Sequence, residues 1–491
     1  MSAAKIAFEH SYAELPEGFF ADVQPETAPA PQLIKVNAAL AEELGLDAAW
    51  LESPEGVAML SGNDVPESAK PIAMAYAGHQ FGGWSPQLGD GRALLLGELL
   101  PGDGVRRDLQ LKGSGRTPYS RQGDGKAPLG PVIREYLVSE AMAALGVPTT
   151  RALAAVQTGE TVYREGPLPG AVLARVASSH VRVGTFQYFY AKGETDSLRK
   201  LADYIIDRHY PEAKAAANPY RALIENVAKR QARLITRWMH LGFIHGVMNT
   251  DNMQIAGETI DFGPCAFMEA FDAGTVLSSI DRQGRYAWGN QPQIGQWNIT
   301  RLAESLLPIL ADDKDAATKE AEAAVNVFGE VFNAEFVPGF CAKMGLNAEK
   351  ESAEPFVLET FELLTREKVD FTRFFRELTR VAGGAEADSL IELFDAPAVG
   401  QDWVGRWRNE ASEGAGIPPA RVDAMRGMNP VFIPRNHRVE EAIQAALQGD
   451  YSVFERLNQV WSRPFEEQPE HAELEMPATP EEEIRQTFCG T

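Results

Sequence analysis

Two side chains with oxygen donors suited to a metal ion lie close together near the middle of the chain. Asn252 supplies an amide oxygen and Asp261 a carboxylate, and hard ligands of this kind suit Mg²⁺ that bridges phosphate groups. Asp251, directly before Asn252, is the carboxylate placed to act as a general base beside such a metal. The short interval predicts a strand, a turn and a second strand over residues 253–260. Together these residues indicate metal-dependent chemistry on a nucleoside triphosphate.

The surrounding segment has the spacing of a protein-kinase catalytic loop, with one replacement. Asn252 lies seven residues after His245, and Asp261 begins an Asp-Phe-Gly sequence, as in a kinase. The usual catalytic base lies two residues after the histidine, where this chain has Val247, which cannot accept a proton. We expect His245 to support the loop structurally. The chain is therefore either an inactive kinase or an enzyme that uses the nucleotide differently.

Four charged residues in the first half are candidates for the phosphate-binding part of such a site. Lys112 ends a strand pattern over residues 108–112, and Glu135 follows in the predicted helix 131–145. A lysine and a glutamate in this order form the ion pair that holds the kinase lysine on phosphate oxygens. Arg175 and Arg182 carry guanidinium groups, whose fork matches phosphate oxygens. Taken singly, each of these residues is more often a solvated surface residue, so only the combination favours a site.

Two glycine-rich stretches lie near these charges. The first is Gly89-Asp-Gly91-Arg92, and the second runs over residues 113–125 and ends in Asp124-Gly125. Glycine permits a close approach of the backbone to phosphate, and Arg92 adds positive charge. A bare Gly-x-Gly is more often a hairpin turn, so these stretches are weak signals by themselves.

The elements that must position these residues change type along the chain. The first half predicts strands at 93–100, 108–112, 152–156, 161–163 and 170–176, with helices at 36–46 and 131–145. The second half predicts helices at 220–241, 300–310, 314–332, 356–381 and 439–446. We therefore expect an α+β, bilobal, protein-kinase-like fold with the nucleotide between a β-rich and a helical lobe. The expected boundaries are an N-terminal extension (1–70), a β-rich lobe (71–190), a helical lobe (191–463) and an acidic, extended tail (464–491).

Composition excludes several other classes of protein. The 491 residues carry a net charge of −23, which argues against nucleic acid or an anionic membrane as the main partner. The sequence has no apolar run of membrane-spanning length, and its first residues lack the layout of a signal peptide. Three cysteines do not make a disulfide framework. We expect a cytoplasmic protein that is monomeric by default.

The motifs together resemble the selenoprotein O (SelO) pseudokinase family over nearly the full length. The matching segments are Tyr-Ala-Gly-His-Gln-Phe-Gly at 76–82, Leu-Gly-Asp-Gly-Arg at 88–92, Leu-Gln-Leu-Lys-Gly-Ser-Gly at 109–115, the 245–252 loop and Asp-Phe-Gly-Pro at 261–264. Cys489 lies where some members carry selenocysteine, so the chain resembles a bacterial, cysteine-containing member. The final Gly-Thr departs from the serine pair that is more familiar in the family.

The resemblance implies an enzyme that transfers AMP from ATP to Ser, Thr or Tyr hydroxyls of proteins and releases pyrophosphate. The nucleotide is expected to lie flipped relative to a kinase, with Mg²⁺ or Mn²⁺ bound. Asp251 is implied as the proton acceptor, Asn252 and Asp261 as metal ligands, and Glu135 as the partner of Lys112. The implied nucleotide contacts are Gly89, Gly91, Arg92, Lys112, Asp124, Gly125, Arg175, Arg182 and Asp261.

The resemblance also implies redox control through the C-terminal cysteine. A disulfide from Cys489 to a cysteine near the segment after Asp261 would restrain that segment, and Cys265 is the local candidate. Two other functions stay open: a conventional phosphotransferase that uses Asp251 as a displaced base, and a catalytically silent nucleotide-binding scaffold.

Overall fold

The computed structural model describes residues 6–414 and 416–488, in which a large antiparallel sheet precedes a mainly helical region. The first half contributes β1 (Phe20–Asp22), β2 (Gln32–Val36), β3 (Ile72–Met74), β4 (Gly78–Gln80), β5 (Gly83–Ser85), β6 (Ala93–Leu99), β7 (Arg107–Lys112), β8 (Ala127–Pro128), β9 (Arg151–Tyr163) and β10 (Pro167–Ala177). The strand order in the sheet is β1-β3-β6-β7-β10-β9-β2, with β8 paired to β10. Strands β4 and β5 form a separate hairpin.

Helices cover both faces of this sheet. The first half contains α1 (Ala38–Glu43), α2 (Ala48–Leu51), α3 (Pro54–Ser61) and α4 (Leu129–Ala144). Leu109 and Leu111 pack in one core with residues of α1, α2 and α3, including Leu40, Leu51 and Met59. Because side chains alternate along a strand, Lys112 of β7 points to the opposite face, where α4 packs. The sheet thus separates an apolar face from a face that carries buried charge.

The second half is helical apart from one small ladder. Its helices are α5 (Val183–Ala191), α6 (Thr195–His209), α7 (Pro219–His240), α8 (Gln291–Leu310), α9 (Lys314–Lys343), α10 (Ala353–Arg366), α11 (Phe371–Ala382), α12 (Asp388–Ile391), α13 (Pro397–Ala411), α14 (Pro419–Met428), α15 (Asn436–Leu447) and α16 (Ser452–Trp461). The ladder pairs β11 (Phe243–Ile244) with β12 (Ala266–Phe267). This ladder brackets the predicted catalytic segment, so the chain enters and leaves that segment at neighbouring points.

The antiparallel sheet and the many helices confirm the α+β class, while two local predictions were wrong. The helix predicted over 356–381 is two helices, because the chain turns at Lys368 (φ 50°) and the Asp370 side chain caps α11 by accepting from the Arg373 amide. The strand pair predicted over 253–260 is absent. Its ends instead form isolated bridges, Gln254 with Arg182 and Thr259 with Thr149.

The C-terminal segment lies against the rest of the protein. A 3₁₀ helix spans Pro469–Glu475, and the chain then runs to residue 488 without further helix, through a turn in which the Glu482 amide donates to the Thr479 carbonyl. The buried Thr487 donates its hydroxyl to the Pro264 carbonyl (2.6 Å) and its amide to the Leu277 carbonyl (2.7 Å). The tail therefore contacts the segment that follows Asp261. Within the described ranges, no helix has the length and apolar character needed to cross a membrane.

Candidate active site

The β-rich half supplies a buried lysine–glutamate ion pair. Lys112 lies at the end of β7, and its Nζ donates to a carboxylate oxygen of Glu135 on α4. The α4 segment is buried along nearly its whole length, which holds Glu135 against the sheet. The pairing predicted from the order of strand and helix is present.

Arg175 joins the same pair from the neighbouring strand. The register aligns Arg175 of β10 with Gln110 of β7, so both side chains lie on the face that carries Lys112. Arg175 Nη1 donates to Glu135 Oε1 at 2.9 Å, and its other amino group donates to Gln110. Burial alone raises the pKa of Glu135, but Lys112 and Arg175 outweigh that effect and hold the pKa below its usual value. Arg175 is thus engaged by protein groups.

Asp261 lies on the other side of Lys112. The distance from Lys112 Nζ to Asp261 Oδ1 is 3.4 Å. Burial opposes ionisation of Asp261, yet the positive charges of Lys112, Arg92 and Arg175 outweigh burial and hold its pKa well below the usual range. Its backbone has φ 69°, a left-handed conformation that non-glycine residues seldom adopt and that is often found at functional sites.

A small pocket brings these groups together. It is lined by Arg92, Lys112, Glu135 and Asp261 together with apolar residues of α4 and the sheet. The pocket therefore collects two cationic and two carboxylate side chains that are widely separated in sequence. This is the arrangement expected where phosphate and a metal ion meet protein charge.

Asp251 and Asn252 lie in a single 3₁₀ turn, Thr250–Asn252. Asn252 donates its side-chain amino group to the Val247 carbonyl at 3.1 Å, so its amide oxygen faces away from that carbonyl. In the described part of the chain, no three His, Cys, Asp or Glu side chains gather as they do in an all-protein metal site. An amide and a carboxylate with substrate phosphates would instead match the way Mg²⁺ is held at phosphate-transfer sites.

The Asp251 carboxylate is buried, and only one of its two oxygens accepts a hydrogen bond. Gln80 donates to Asp251 Oδ2 at 3.0 Å, while Oδ1 is buried without a hydrogen-bond partner. Burial is the main cause that raises the pKa of Asp251 to about 6, against the opposing hydrogen bond from Gln80. One oxygen is therefore held in place and the other is available to accept a proton.

Glycines allow the backbone to approach this carboxylate closely. A Cβ on Gly78 would lie 2.7 Å from Asp251 Oδ1, and a Cβ on Gly184 would lie 2.1 Å from the Ala77 carbonyl oxygen. Gly78, Gln80 and Gly184 were not predicted as site residues. For Gly78 and Gln80 the available signal was their place in the segment 76–82, which served only as a match to a family; Gly184 had no such signal.

His245 supports the loop from beneath. It is fully buried, its Nε2 lies 2.9 Å from the Ile260 carbonyl oxygen, and its Nδ1 accepts from the Val247 amide. These contacts tie the 245–252 segment to the residue before Asp261. The structural role expected for His245 is confirmed.

The two glycine-rich stretches pack against each other. A Cβ on Gly89 would lie 2.3 Å from the Tyr119 ring, and a Cβ on Gly91 would lie 3.0 Å from the Tyr119 carbonyl oxygen. Arg182 lies 3.5 Å from Asp90 and stacks over the Tyr76 ring at 4.3 Å. Protein contacts are therefore sufficient to explain these two glycines.

Asp124 and Gly125 lie at the end of the second stretch. Asp124 accepts two hydrogen bonds from Arg164, at 2.8 and 3.0 Å, and Arg164 holds its pKa below the usual value. Gly125 has φ 70°, and a Cβ there would lie 2.1 Å from the Gly115 carbonyl oxygen. Asp124 is not among the residues that line the pocket around Lys112.

Of the two cysteines predicted to form a redox pair, only Cys265 lies among the residues that the structure describes. Cys265 is buried, donates its thiol to the Phe262 carbonyl at 3.2 Å, and has a pKa that burial raises to about 12. Cys489 lies outside the described residues. Thr487 reaches the carbonyl of Pro264, the residue directly before Cys265, so the tail approaches this part of the chain.

Comparison with known proteins identifies the family to which this chain belongs. The family model described as "Protein adenylyltransferase SelO" matches residues 2–462. A "Protein nucleotidyltransferase YdiU" from Rhizobium etli (strain CFN 42) is 56% identical over 490 residues, covering 99% of this chain and 98% of that protein. Proteins with the same name from Bradyrhizobium sp. (strain ORS 278) and Rhodopseudomonas palustris (strain BisB18) are 55% identical, covering 99% of both chains, and 54% identical, covering 100% of both. The chain therefore belongs to the SelO family of protein adenylyltransferases.

Proposed function

We propose that this protein transfers AMP from ATP to Ser, Thr or Tyr hydroxyls of other proteins and releases pyrophosphate. Its family makes the chain an enzyme of the protein nucleotidyltransferase class. The proposal adds three points to this class. AMP is the group transferred, protein hydroxyls are the acceptors, and the nucleotide lies flipped relative to its position in a kinase. We further propose a kinase-like arrangement of a β-rich lobe (71–190) and a helical lobe (191–463), with the nucleotide between them.

The cationic groups are proposed to bind the phosphates. Lys112 and Arg92 line one small pocket with Asp261, so phosphate oxygens that reach its mouth would meet positive charge beside the proposed metal ligand. Arg175 and Arg182 are proposed to reach the far end of the triphosphate. Because both arginines already contact protein groups, their binding of phosphate requires exchange of Glu135 or Asp90 for phosphate oxygens.

The amide oxygen of Asn252 and the carboxylate oxygens of Asp261 are donors that suit a divalent metal. Asp261 is held ionised by its cationic neighbours, and Asn252 is oriented by its bond to Val247. Mg²⁺ or Mn²⁺ bound there would offset negative charge on the phosphate oxygens.

The proposed transfer assigns the proton to Asp251. The acceptor O–H gives its proton to Asp251 Oδ1 as its oxygen forms a bond to the α-phosphorus. The bond between the α-phosphorus and the bridging oxygen breaks, and pyrophosphate leaves with the bonding electrons. Gln80, which holds Oδ2, is proposed as a positioning residue for this base.

One observation carries the proposal: Asp251 offers a buried carboxylate oxygen without a partner, next to a metal-type asparagine, where the usual kinase base is replaced by Val247. A conventional phosphotransferase would use the same base with the γ-phosphate. A silent scaffold has no need of an available base. Transfer of AMP accounts for both the base and the family.

Two labels distinguish these functions. The protein is incubated with a protein mixture, Mg²⁺ or Mn²⁺, and ATP labelled at either the α- or the γ-phosphate. We expect label from the α position only, and its loss in Asp261→Ala. Label from the γ position only would show a kinase reaction, and no label from either under reducing conditions would favour the scaffold.

We also propose that the protein acts as a cytoplasmic monomer under redox control through Cys489. The contact of the tail with Pro264 supports an effect of the tail on the segment after Asp261. Oxidised wild type is expected to run differently from Cys489→Ser on a non-reducing gel. Equal mobility under oxidant would contradict the redox part of the proposal.

A further inference from the structure

Aromatic and cationic side chains lie on and beside the β4–β5 hairpin, whose Gln80 contacts Asp251. We call the acceptor face the group formed by Phe81, Trp84, Arg282, Arg285 and Trp297. Phe81 and Trp84 are 38% and 42% exposed, so both aromatic rings remain partly accessible to a partner. We propose that the acceptor face binds an extended, acidic segment of the acceptor protein next to its reacting hydroxyl; this rests on the proposed function.

The β4–β5 hairpin connects this face directly to the base. Gln80 on β4 donates to Asp251, and the next residue, Phe81, donates its amide to Asn249 Oδ1 at 3.0 Å. The same Asn249 oxygen accepts the Tyr286 hydroxyl at 2.6 Å. One asparagine beside the base therefore fixes both the hairpin and the segment that carries Arg285.

The hairpin turn holds an aromatic side chain at an unfavourable backbone position. Phe81 (φ 52°) and Gly82 (φ 83°) both have left-handed conformations, as in a two-residue type I′ turn that favours Asn-Gly. A bulky residue at positive φ is destabilising, and the Phe81 residue nevertheless stays 38% exposed. An edge contact with Tyr286 at 5.4 Å orients the ring without covering it. This is the arrangement expected of a residue selected for contact with a partner.

Two arginines of the face lack a carboxylate partner, although the protein is strongly acidic. In the part of the chain that the structure describes, no ion pair forms to Arg282 or Arg285. Arg285 lies over Trp297 at 4.7 Å, which positions it by a cation–π contact. Asp281 accepts the backbone amide of Arg285 at 3.0 Å, but the guanidinium forms no ion pair with that carboxylate. Nearby Arg301, by contrast, is paired with Glu304 at 2.6 Å.

The side chains of the acceptor face indicate the kind of partner segment that it binds. Aromatic rings and arginine are the residues that most often dominate binding energy at protein interfaces. Because Arg282 and Arg285 form no ion pair with the described residues, charge complementarity favours a partner with carboxylates over a partner with lysines. The position beside Asp251 limits the occupant to a chain that presents a hydroxyl there. An acidic peptide segment satisfies all three conditions.

Binding of matched peptides tests this inference without any transfer. Fluorescent nine-residue peptides with a central Ser, Thr or Tyr carry either Asp and Glu or Lys at the flanking positions. Anisotropy is measured with an ATP analogue that has a methylene group between its α- and β-phosphates. Wild type is expected to bind the acidic peptide about tenfold more tightly, and Arg285→Glu to abolish or reverse the preference. Trp84→Ala is expected to weaken the acidic peptide about tenfold.

The control is Arg408→Glu, which reverses an exposed charge on α13 and should keep the wild-type preference. Thermal melting and binding of the analogue check that each variant folds, and Arg282→Glu replaces Arg285→Glu if the latter does not. No preference in wild type, an unchanged preference in Arg285→Glu, or equal losses for both peptides would overturn the inference. The α-label assay judges the proposed function separately, because absence of transfer leaves the binding preference measurable.

Discussion

Two aspartates of the site, ten residues apart in the chain, differ in their ionisation. Asp261 lies 3.4 Å from Lys112 and near two arginines, and its pKa is held well below the usual range. Asp251 is buried beside the neutral Gln80, and burial raises its pKa to about 6. Asp251 is more deeply buried than Asp261, whose side chain is 22% exposed, and only Asp261 has a lysine within 4 Å, so both burial and the charge of the neighbours separate the two pKa values. A carboxylate kept ionised suits a metal, and one with a raised pKa suits a proton acceptor.

The largest expected effect is on transfer. Asp251→Asn removes the proposed base and should lower the rate of AMP transfer about 10²- to 10⁴-fold without changing the affinity for ATP. Asp261→Asn should lower the rate at least as much and also weaken metal-dependent binding of ATP. The rate is measured with α-labelled ATP and the affinity by titration. Asp312→Asn, at an exposed position, is the matched control. Equal losses of ATP affinity in both variants would mean that the two carboxylates do not have separate roles.

The substitution Lys112→Met tests how much the cationic neighbour of Asp261 contributes to stability. Removing the lysine leaves Glu135 and Asp261 with less compensation, and loss of one partner from a buried pair costs about 3–5 kcal/mol. Urea unfolding measures this loss. The double variant Lys112→Met with Glu135→Gln should recover part of it, because the buried negative charge is also removed. A double variant as unstable as the sum of the single variants would contradict the coupling.

The two aspartates should affect stability with opposite signs in the metal-free protein. A raised folded-state pKa means that the ionised Asp251 opposes folding above pH 6, so Asp251→Asn should raise the free energy of unfolding at pH 7 by about 2–3 kcal/mol. That gain should shrink as the pH falls from 6 to 4, where the native carboxyl becomes protonated. The pKa of Asp261 is depressed, so its ionised form stabilises the fold and Asp261→Asn should destabilise at pH 7. Unfolding in chelator at several pH values measures both, and the same sign for both variants would refute the comparison.

The smallest expected effect concerns the orientation of the base. Gln80→Leu removes the bond to Asp251 Oδ2 and should lower kcat about 10- to 100-fold, with KM for ATP unchanged, because a single lost hydrogen bond to a charged group is worth about 1.5–3 kcal/mol. Gln87→Leu, an exposed change in the same region, is the control. Unchanged kcat in Gln80→Leu would show that Asp251 needs no support from the hairpin.

Several parts of this description follow from local sequence rules. The order of Lys112 and Glu135 predicts their ion pair, because a strand lysine followed by a helix glutamate carries that pair in protein kinases. The structural role of His245 follows in the same way from its place in the loop. The prediction for 253–260 was wrong because Gln254 and Thr259 bond to remote residues, Arg182 and Thr149, which local patterns do not contain.

The sequence by itself determined the types of donor groups, their spacing between His245 and Asp261, and the change from strands to helices. Only the tertiary structure decided that Gln80 supports Asp251, that Arg175 shares Glu135 with Lys112, and that Arg285 lacks a carboxylate partner. Gln80 and Asp251 are separated by 171 residues, and their contact depends on how the hairpin packs on the 245–252 loop. The physical reason is that spacing within an element is fixed by backbone geometry. Burial and charge pairing between elements arise only when the chain is folded.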